Sequence, residues 1–333
     1  MDLKKLREFL GSDWKQTQDC ISGVLSSDIS LLNSTNAAIL ESSGKQMRPM
    51  LSLLIGRACM AGKEGFSGNL SHDSWHYAAA CELLHNATLL HDDVADKSDK
   101  RRGNPTLYSQ MGASVSVLVG DYWLVKAVDC ILSAERENPE VIRIFARTLS
   151  NLAEGEMFQL QKAWSGDTSE DDYFRIIYNK TATLFEVTAR CAVIAVGGDE
   201  DLQQKMADFA KDLGLAFQIK DDIFDYAEGM NIGKPTGADI LEKKLTLPLL
   251  GAFRNAGAKE ENRIRKMISK VDIHPEYRDE IVDFVRTNGG IEYAKTRMDE
   301  ILDGALKDLE ILAPSAEKEY LVALTKYVGD RKI

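Results

Sequence analysis

The sequence predicts an all-α protein, built as a single large helical bundle around a cavity. Apolar residues recur at helical spacing nearly throughout, and neither strand alternation nor an Asn-Gly hairpin signal interrupts them. All seven prolines stand where a helix would begin or end. At 333 residues the chain exceeds the size at which one core usually stops growing. No linker rich in Pro, Gly or Ser divides it, so we expect one domain over residues 1–333.

The predicted helices follow one another with short loops between them. Pro49 favours a helix start because proline suits the first turn of a helix. The Gly-rich stretch 228–237 is predicted as a loop. In chain order the predicted helices cover 3–25, a second segment ending near 40, then 49–61, 75–92, 107–135, 139–162, 171–179, 183–196, 201–226, 246–255, 260–271, 274–288, 290–312 and 316–328.

The composition is that of an ordinary soluble protein and excludes several classes of partner. The formal net charge of −11 argues against nucleic acid or an anionic membrane as the main partner. The most apolar windows are too short to span a bilayer, and the opening residues lack the apolar region of a signal peptide, so we expect neither a membrane span nor a signal peptide. The five cysteines are scattered and form no CxxC pair, which favours reduced thiols and a cytoplasmic location.

Three carboxylates lie at the end of the predicted helix 75–92 and just after it. Asp92 and Asp96 share a helix face because they lie four residues apart, and Asp93 lies about 100° round. Oxygen ligands on a rigid helix suit Mg²⁺, which bridges one or two carboxylates to substrate phosphates. Arg101 and Arg102 follow, and their fork-shaped donors can hold phosphate oxygens. This layout is typical of a metal–diphosphate site.

The same pattern returns later in the chain. Asp221, Asp222 and Asp225 stand at the same relative positions, again at the end of an apolar helix. One such motif alone is more readily interpreted as a solvated acidic helix end. Two such motifs together with basic neighbours favour a metal–diphosphate site. An acidic protein that binds diphosphates must first neutralise its own aspartates, so an obligatory divalent metal is expected.

Other polar residues become candidates for the same site only because these motifs are present. Each would otherwise read as an ordinary surface cation, or, for the histidine inside a helix, as a core residue. The candidates are Lys45 and Arg48 before and within a helix start, His85 two turns before Asp92, Lys180 and Thr181 between two helices, Gln218 one turn before Asp221, and Lys234 and Lys244 after the second motif.

As a set, these residues resemble the trans-polyprenyl diphosphate synthase family. The matching elements are GKxxRP from Gly44, DDxxD followed by RRG, the Lys-Thr pair, QxxDDxxD, and then GK with a later Lys. Their order and spacing match from about residue 44 to 248. One departure is Gln46, where relatives often carry a basic residue. The resemblance implies an all-α bundle around a deep apolar cavity, of the isoprenoid synthase type, and a homodimer.

The resemblance also implies roles for individual residues. The metal ligands would be Asp92, Asp96, Asp221 and Asp225, holding about three Mg²⁺, for which Mn²⁺ can substitute. Asp93, Asp222 and Lys180 would complete the catalytic set. The allylic diphosphate would contact Arg101, Lys180, Thr181, Gln218, Lys234 and Lys244, and isopentenyl diphosphate would contact Lys45, Arg48, His85 and Arg102.

Product length is predicted from the residues that precede Asp92 on the same helix. Ala87 and Thr88 lie about 7.5 and 6 Å along the axis from Asp92, at 1.5 Å per residue. Both are small, which favours a growing chain that passes deeper and a long, octaprenyl-type product. The alternatives are a short-chain farnesyl or geranylgeranyl diphosphate synthase, a class I terpene cyclase, and a regulatory partner subunit of a synthase.

Overall fold

The computed structural model describes residues 2–42, 44–66, 68–135, 138–226 and 237–331. Helices occupy most of these ranges, which confirms the all-α prediction, while the predicted central cavity stays a prediction. The elements are α1 (Leu3–Val24), α2 (Ser30–Glu41), α3 (Met47–Met60), α4 (His72–Ala95), β1 (Lys100–Arg101), β2 (Asn104–Pro105), α5 (Leu107–Met111), α6 (Ala113–Leu132), α7 (Pro139–Ser165), α8 (Glu170–Ile177), a π-helical turn (Tyr178–Ala182), α9 (Thr183–Ala195), α10 (Glu200–Phe224), α11 (Ala238–Leu241), α12 (Leu247–Ala256), α13 (Ala258–Ile268), α14 (Tyr277–Thr287), α15 (Gly290–Asp308), a 3₁₀ turn (Leu309–Ile311) and α16 (Ala316–Asp330).

The chain forms two compact units. The first comprises Met1–Ala146, Leu184–Asp208 and Asp308–Leu324, and the second comprises Arg147–Thr183, Phe209–Lys307 and Thr325–Ile333. The single domain expected over residues 1–333 stays a prediction. Along the described parts of the chain, none of the helices combines the length and the apolar character needed to cross a membrane.

In the first unit, α4 is the central helix. It packs against α1, α3 and α6, and most of its side chains are buried. Helix α3 beside it is buried on nearly every face, as expected of a helix inside a core. Because α4 is held on several sides, the carboxylates at its C-terminal end project from a rigid support.

A buried ion pair secures a kink in α1. Gly11 adopts φ +51°, and the helix bends there, although the sequence predicted an unbroken helix over 3–25. The guanidinium of Arg57 donates to the backbone carbonyls of Phe9 and Leu10 just before the kink. Arg57 Nε also donates to Asp13 Oδ2 at 2.7 Å. Asp13 Oδ1 in turn accepts from the indole of Trp75, so the carboxylate ties α1 to α3 and α4.

In the second unit, α12 packs against α8, α13 and α14, and α11 packs against α14. Helix α8 begins with a reciprocal capping box between Ser169 and Asp172. It continues into the π-helical turn Tyr178–Ala182, where the predicted helix 171–179 would have ended. Gly155 of α7 faces this turn, and a Cβ there would lie 2.6 Å from Cβ of Asn179. A glycine is therefore needed for the close approach of α7.

Two local predictions are wrong. The predicted helix 107–135 is divided at Gly112, whose φ of +83° and ψ of 170° suit glycine and end α5 before α6 begins. The stretch 97–105, between two predicted helices and without a hairpin signal in the sequence, contains a short hairpin, in which Arg101 pairs with Asn104. Its turn residues Arg102 and Gly103 have φ of +54° and +82°. Positive φ at both central residues defines a type I′ turn, which normally carries Asn or Gly first.

We expect Arg57→Met to destabilise the protein by about 3–5 kcal/mol, because it leaves the carboxylate of Asp13 buried without its counter-ion. Urea unfolding would measure the loss. Arg143→Met, at an exposed position on α7, is the matched control and should change stability by about 0.5 kcal/mol or less. Equal stability of the two variants would show that the pair does not hold the kink.

Candidate active site

The first carboxylate group lies at the C-terminal end of α4. Asp93 is buried, and its Oδ1 accepts from Nε and Nη2 of Arg101, both at 2.9 Å. Asp92 is half-buried, and Asp96, the C-cap of the helix, is exposed. Asp93 therefore makes an internal contact with Arg101, while Asp92 and Asp96 lie nearer the surface.

The hairpin β1–β2 brings Arg102 to the loop that precedes α3. A Cβ placed on Gly44 would lie 2.0 Å from Nη1 of Arg102, so the guanidinium rests directly on the glycine backbone. Arg7 of α1 donates from Nη2 to the carbonyl of Lys45 at 3.0 Å. Lys45, predicted from the sequence, and Arg102 therefore belong to one cluster, and Arg7 is an addition that no motif indicated.

Arg48 and His85 complete this cation cluster, which we define as Arg7, Lys45, Arg48, His85 and Arg102. The guanidinium of Arg48 lies over the ring of Phe185, 4.6 Å from its centroid. Burial lowers the pKa of Arg48 to about 10, against the opposing field of Glu82. Burial, then the positive charges of Arg48, Arg102 and Arg101, lowers the pKa of His85 well below 6.5, so its imidazole is neutral at pH 7.

Glu82 is the buried carboxylate beside this cluster. Asn86 donates to its Oε1 at 3.3 Å, and Oε2 is buried with no hydrogen-bond partner among the described residues. Burial raises the pKa of Glu82, while the positive charge of Arg48 opposes the rise. Sequence reasoning missed this residue, although a glutamate inside an apolar helix was a usable signal.

The second carboxylate group lies at the C-terminal end of α10, and Asp222 is its buried member. Its Oδ2 accepts from the hydroxyl of Tyr173 at 2.7 Å, and its Oδ1 accepts from Nε2 of Gln218 at 2.8 Å. Oε1 of Gln218 accepts from the hydroxyl of Thr181 at 2.8 Å. The structure thus brings together Thr181, Gln218 and Asp222, three of the candidate residues, and adds Tyr173.

Asp225 caps the short helix α11. Its two oxygens accept from the backbone N–H groups of Ala238 and Asp239 at 3.0 and 3.1 Å. Burial, followed by the negative charge of Asp239, raises the pKa of Asp225 to about 7. Asp239 is thus a further acidic residue of this group, and it lay outside the motifs used to find the site.

Asp221 is paired with an arginine from the far end of the chain. Arg331 Nη2 lies 2.6 Å from Asp221 Oδ1 and donates to the carbonyl of Phe217. The guanidinium is buried and stacks on the ring of Phe217, 3.9 Å from its centroid. No sequence motif pointed to Arg331, because more than a hundred residues separate it from its partner.

The predicted lysines have different surroundings. Lys180 sits in the π-helical turn, a feature that often marks functional sites, and its Nζ lies 2.7 Å from Glu156 Oε2. Lys244 forms an ion pair with Glu242. Lys234 lies outside the described residues.

Ala87 and Thr88, the candidates for product length, lie on α4. Ala87 is only 1% exposed. The hydroxyl of Thr88 donates to the carbonyl of His85 at 2.8 Å, a hydrogen bond within its own helix. Their part in product length stays a prediction.

The donor set fits Mg²⁺ bound together with a substrate. Within the described residues, no three side chains of His, Cys, Asp or Glu are gathered closely enough to hold a metal by themselves. Mg²⁺ does not require such a cage, since it usually keeps waters and adds substrate phosphates to one or two carboxylates. Asp92 and Asp96 also lie at the negative end of a helix dipole, where a cation is favoured.

The comparisons with known proteins agree with this chemistry. The family model "Polyprenyl synthetase" matches residues 29–285. Octaprenyl diphosphate synthase of Haemophilus influenzae is 36% identical over 99% of this chain and 98% of its own. A decaprenyl diphosphate synthase from Rhodobacter capsulatus superposes with a TM-score of 0.88 at 33% identity, covering 99% of both chains. A polyprenyl synthase from Caulobacter crescentus, complexed with calcium and isoprenyl diphosphate, has a TM-score of 0.87 at 27% identity, covering 100% of this chain and 98% of that one.

An all-α chain with two aspartate motifs and a cation cluster, matched by these relatives, is of the class of enzymes of isoprenoid diphosphate chemistry. The chain belongs to the polyprenyl synthetase family. It is an enzyme that transfers prenyl groups, as the resemblance implied.

We expect His85 to make the protein less stable as the pH falls below 6.5. The unfolded chain gains a proton there while the folded imidazole, whose pKa is depressed, stays neutral. As the pH falls below 6.5, the wild type should lose stability more steeply than His85→Gln. Urea unfolding of both proteins across this range measures the difference. Parallel pH profiles would contradict a neutral His85.

Proposed function

We propose that the enzyme lengthens an allylic diphosphate by repeated head-to-tail condensation with isopentenyl diphosphate, giving a long all-trans polyprenyl diphosphate of the octaprenyl type. The observation that carries the proposal is the presence of two kinds of anion site. One is formed by carboxylates that require cations, and the other by the cation cluster itself. Two diphosphate substrates with different binding chemistry suit this pair.

Asp92, Asp96, Asp221 and Asp225 would hold about three Mg²⁺, for which Mn²⁺ would substitute. When bound, the metal would neutralise the charge that develops on the departing diphosphate. The relative that is complexed with calcium and isoprenyl diphosphate supports a divalent cation in this role. Asp93 and Asp222, which are buried and hydrogen-bonded, would hold the neighbouring ligands in place.

The allylic diphosphate would contact Arg101, Lys180, Thr181, Gln218, Lys234 and Lys244. The hydroxyl hydrogen of Thr181 is already donated to Gln218, so toward a substrate Thr181 can offer only its lone pairs. Nε and Nη2 of Arg101 are directed to Asp93, so Arg101 would act mainly by fixing the hairpin beside the substrate. Lys180 would supply a point charge from the π-helical turn.

Isopentenyl diphosphate would bind at the cation cluster. Lys45, Arg48 and Arg102 carry positive charge, and neutral His85 can donate one N–H without adding charge. After the allylic C–O bond breaks, the double bond of isopentenyl diphosphate attacks the carbocation. A proton is then lost, and the departed diphosphate would accept it.

The cation cluster also argues against the alternatives. A class I terpene cyclase ionises a single diphosphate and needs no second anion site, so product analysis with and without isopentenyl diphosphate separates the two enzymes. A regulatory subunit would be inactive when purified alone. A short-chain synthase would be expected to block elongation near Ala87 and Thr88, where this chain has small side chains.

The enzyme is proposed to act as a cytoplasmic homodimer of one-domain chains. On α6, Leu118, Val125 and Leu132 are exposed at seven-residue spacing, which forms one apolar stripe suited to a second copy. All five cysteines are free thiols, as expected in a reducing compartment. A single family model that matches residues 29–285 supports one catalytic domain.

Asp92→Ala and Asp221→Ala should each lower turnover by about a hundredfold or more, because each removes a proposed metal ligand. Chelation of divalent metal should abolish activity in the wild type. Asp99→Ala, an exposed carboxylate outside the motif, is the control and should keep its turnover. Near-native turnover in either motif variant would contradict the metal-site assignment.

Gly44→Ala should raise the KM for isopentenyl diphosphate about tenfold, because the new methyl group displaces the guanidinium of Arg102. The KM for the allylic substrate should stay within about twofold, as should both constants in Gly23→Ala, where a Cβ meets nothing. Initial rates with each substrate varied in turn provide the test. Equal weakening of both substrates would show that Arg102 does not belong to one subsite.

Ala87→Phe should shorten the product while leaving the first condensation intact, because a ring about 7.5 Å from Asp92 would block the growing chain. Mass analysis of products from farnesyl and isopentenyl diphosphates compares the variant with the wild type. Thr88→Ser, which removes only a methyl group, should not shorten the product. An unchanged product length in a well-folded Ala87→Phe enzyme would remove this helix face from the elongation path.

A further inference from the structure

Tyr173 is a buried residue of α8 that no sequence motif indicated. It is 2% exposed, and its hydroxyl donates to Oδ2 of Asp222 at 2.7 Å. The other oxygen, Oδ1, accepts from Nε2 of Gln218 at 2.8 Å. With one donor on each oxygen, the carboxylate is held from two sides, and its rotation about the Cβ–Cγ bond is restricted.

The hydrogen bonds have a definite direction, which starts from this carboxylate. Nε2 of Gln218 donates to Oδ1 of Asp222, so the amide turns its NH₂ group toward this carboxyl group. Its carbonyl oxygen then faces the π-helical turn and accepts from the hydroxyl of Thr181 at 2.8 Å. The orientation of Asp222 therefore decides which atoms Gln218 and Thr181 present to their surroundings.

We propose that Tyr173 is a positioning residue for the allylic substrate. It fixes Asp222, and through Asp222 it fixes Gln218 and Thr181 in the orientation that binds the diphosphate. The proposal rests on the proposed function for the identity of that substrate. Tyr173 itself is not proposed to touch the substrate, since its hydroxyl is used by Asp222.

The test compares Tyr173→Phe with Tyr226→Phe. Tyr226 is also fully buried in the second unit, but its hydroxyl is paired with Thr246 at 3.3 Å instead of a carboxylate. Both changes remove one buried hydroxyl and keep the ring. Tyr173→Phe should raise the KM for the allylic diphosphate about tenfold, with the KM for isopentenyl diphosphate unchanged, and Tyr226→Phe should leave both within about twofold. The same response of both substrates, or of both variants, would overturn the proposal.

A second measurement does not depend on turnover. Calorimetric titration with inorganic diphosphate and Mg²⁺ should show binding about tenfold weaker in Tyr173→Phe than in Tyr226→Phe. In the Gln218→Ala background, Tyr173→Phe should add nothing further, because the tyrosine acts through the glutamine. Additive effects would overturn the proposal. If the wild type binds diphosphate with Mg²⁺ but elongates no allylic substrate, the proposed function fails while this inference is still decided by the titration.

Discussion

The constraint on which the site depends is the neutralisation of carboxylates at the negative ends of helices. Each of the two motifs places acidic side chains near one another and at the carbonyl end of a helix, where an anion is disfavoured. Four of these carboxylates are each stabilised by a different kind of contact. The partners are an arginine from the adjoining hairpin for Asp93, the distant Arg331 for Asp221, two neutral donors for Asp222, and the backbone of α11 for Asp225.

The two motifs differ in the burial of their carboxylates and in the pKa of those side chains. At the end of α4 only Asp93 is buried, and Asp92 and Asp96 lie nearer solvent. At the end of α10, burial and the charge of Asp239 raise the pKa of Asp225 to about 7, so this carboxylate is poised between its charged and neutral forms. In the proposed metal site, Asp225 would have to give up its proton to bind a cation, which would couple metal binding there to pH.

Residues with positive φ stand next to several of the proposed site residues or among them. Among the described non-glycine residues, those with positive φ are Gln46, Lys97, Arg102 and Lys243. Gln46 follows Lys45, Lys97 follows Asp96, and Lys243 precedes Lys244. Each such conformation costs of order 1 kcal/mol and persists only where the surroundings hold it. At the hairpin turn, this conformation of Arg102 goes with a guanidinium placed against Gly44, and a side chain on Gly44 would not fit there.

The sequence by itself determined the fold class and the two motifs, because helical periodicity and four-residue spacing are local properties of the chain. It also indicated most of the cation cluster, through motif order. Only the tertiary structure decided which partners complete the site. Tyr173, Arg331, Glu82, Asp239 and Arg7 lie at sequence separations from their partners that no local pattern encodes, or carry no motif of their own. The hairpin at Arg102 was likewise undetermined, because a positive φ in a non-glycine turn residue depends on the contacts that hold it and not on its own preference. The break at Gly112 was also undetermined, because a glycine can stand inside a helix as well as end one.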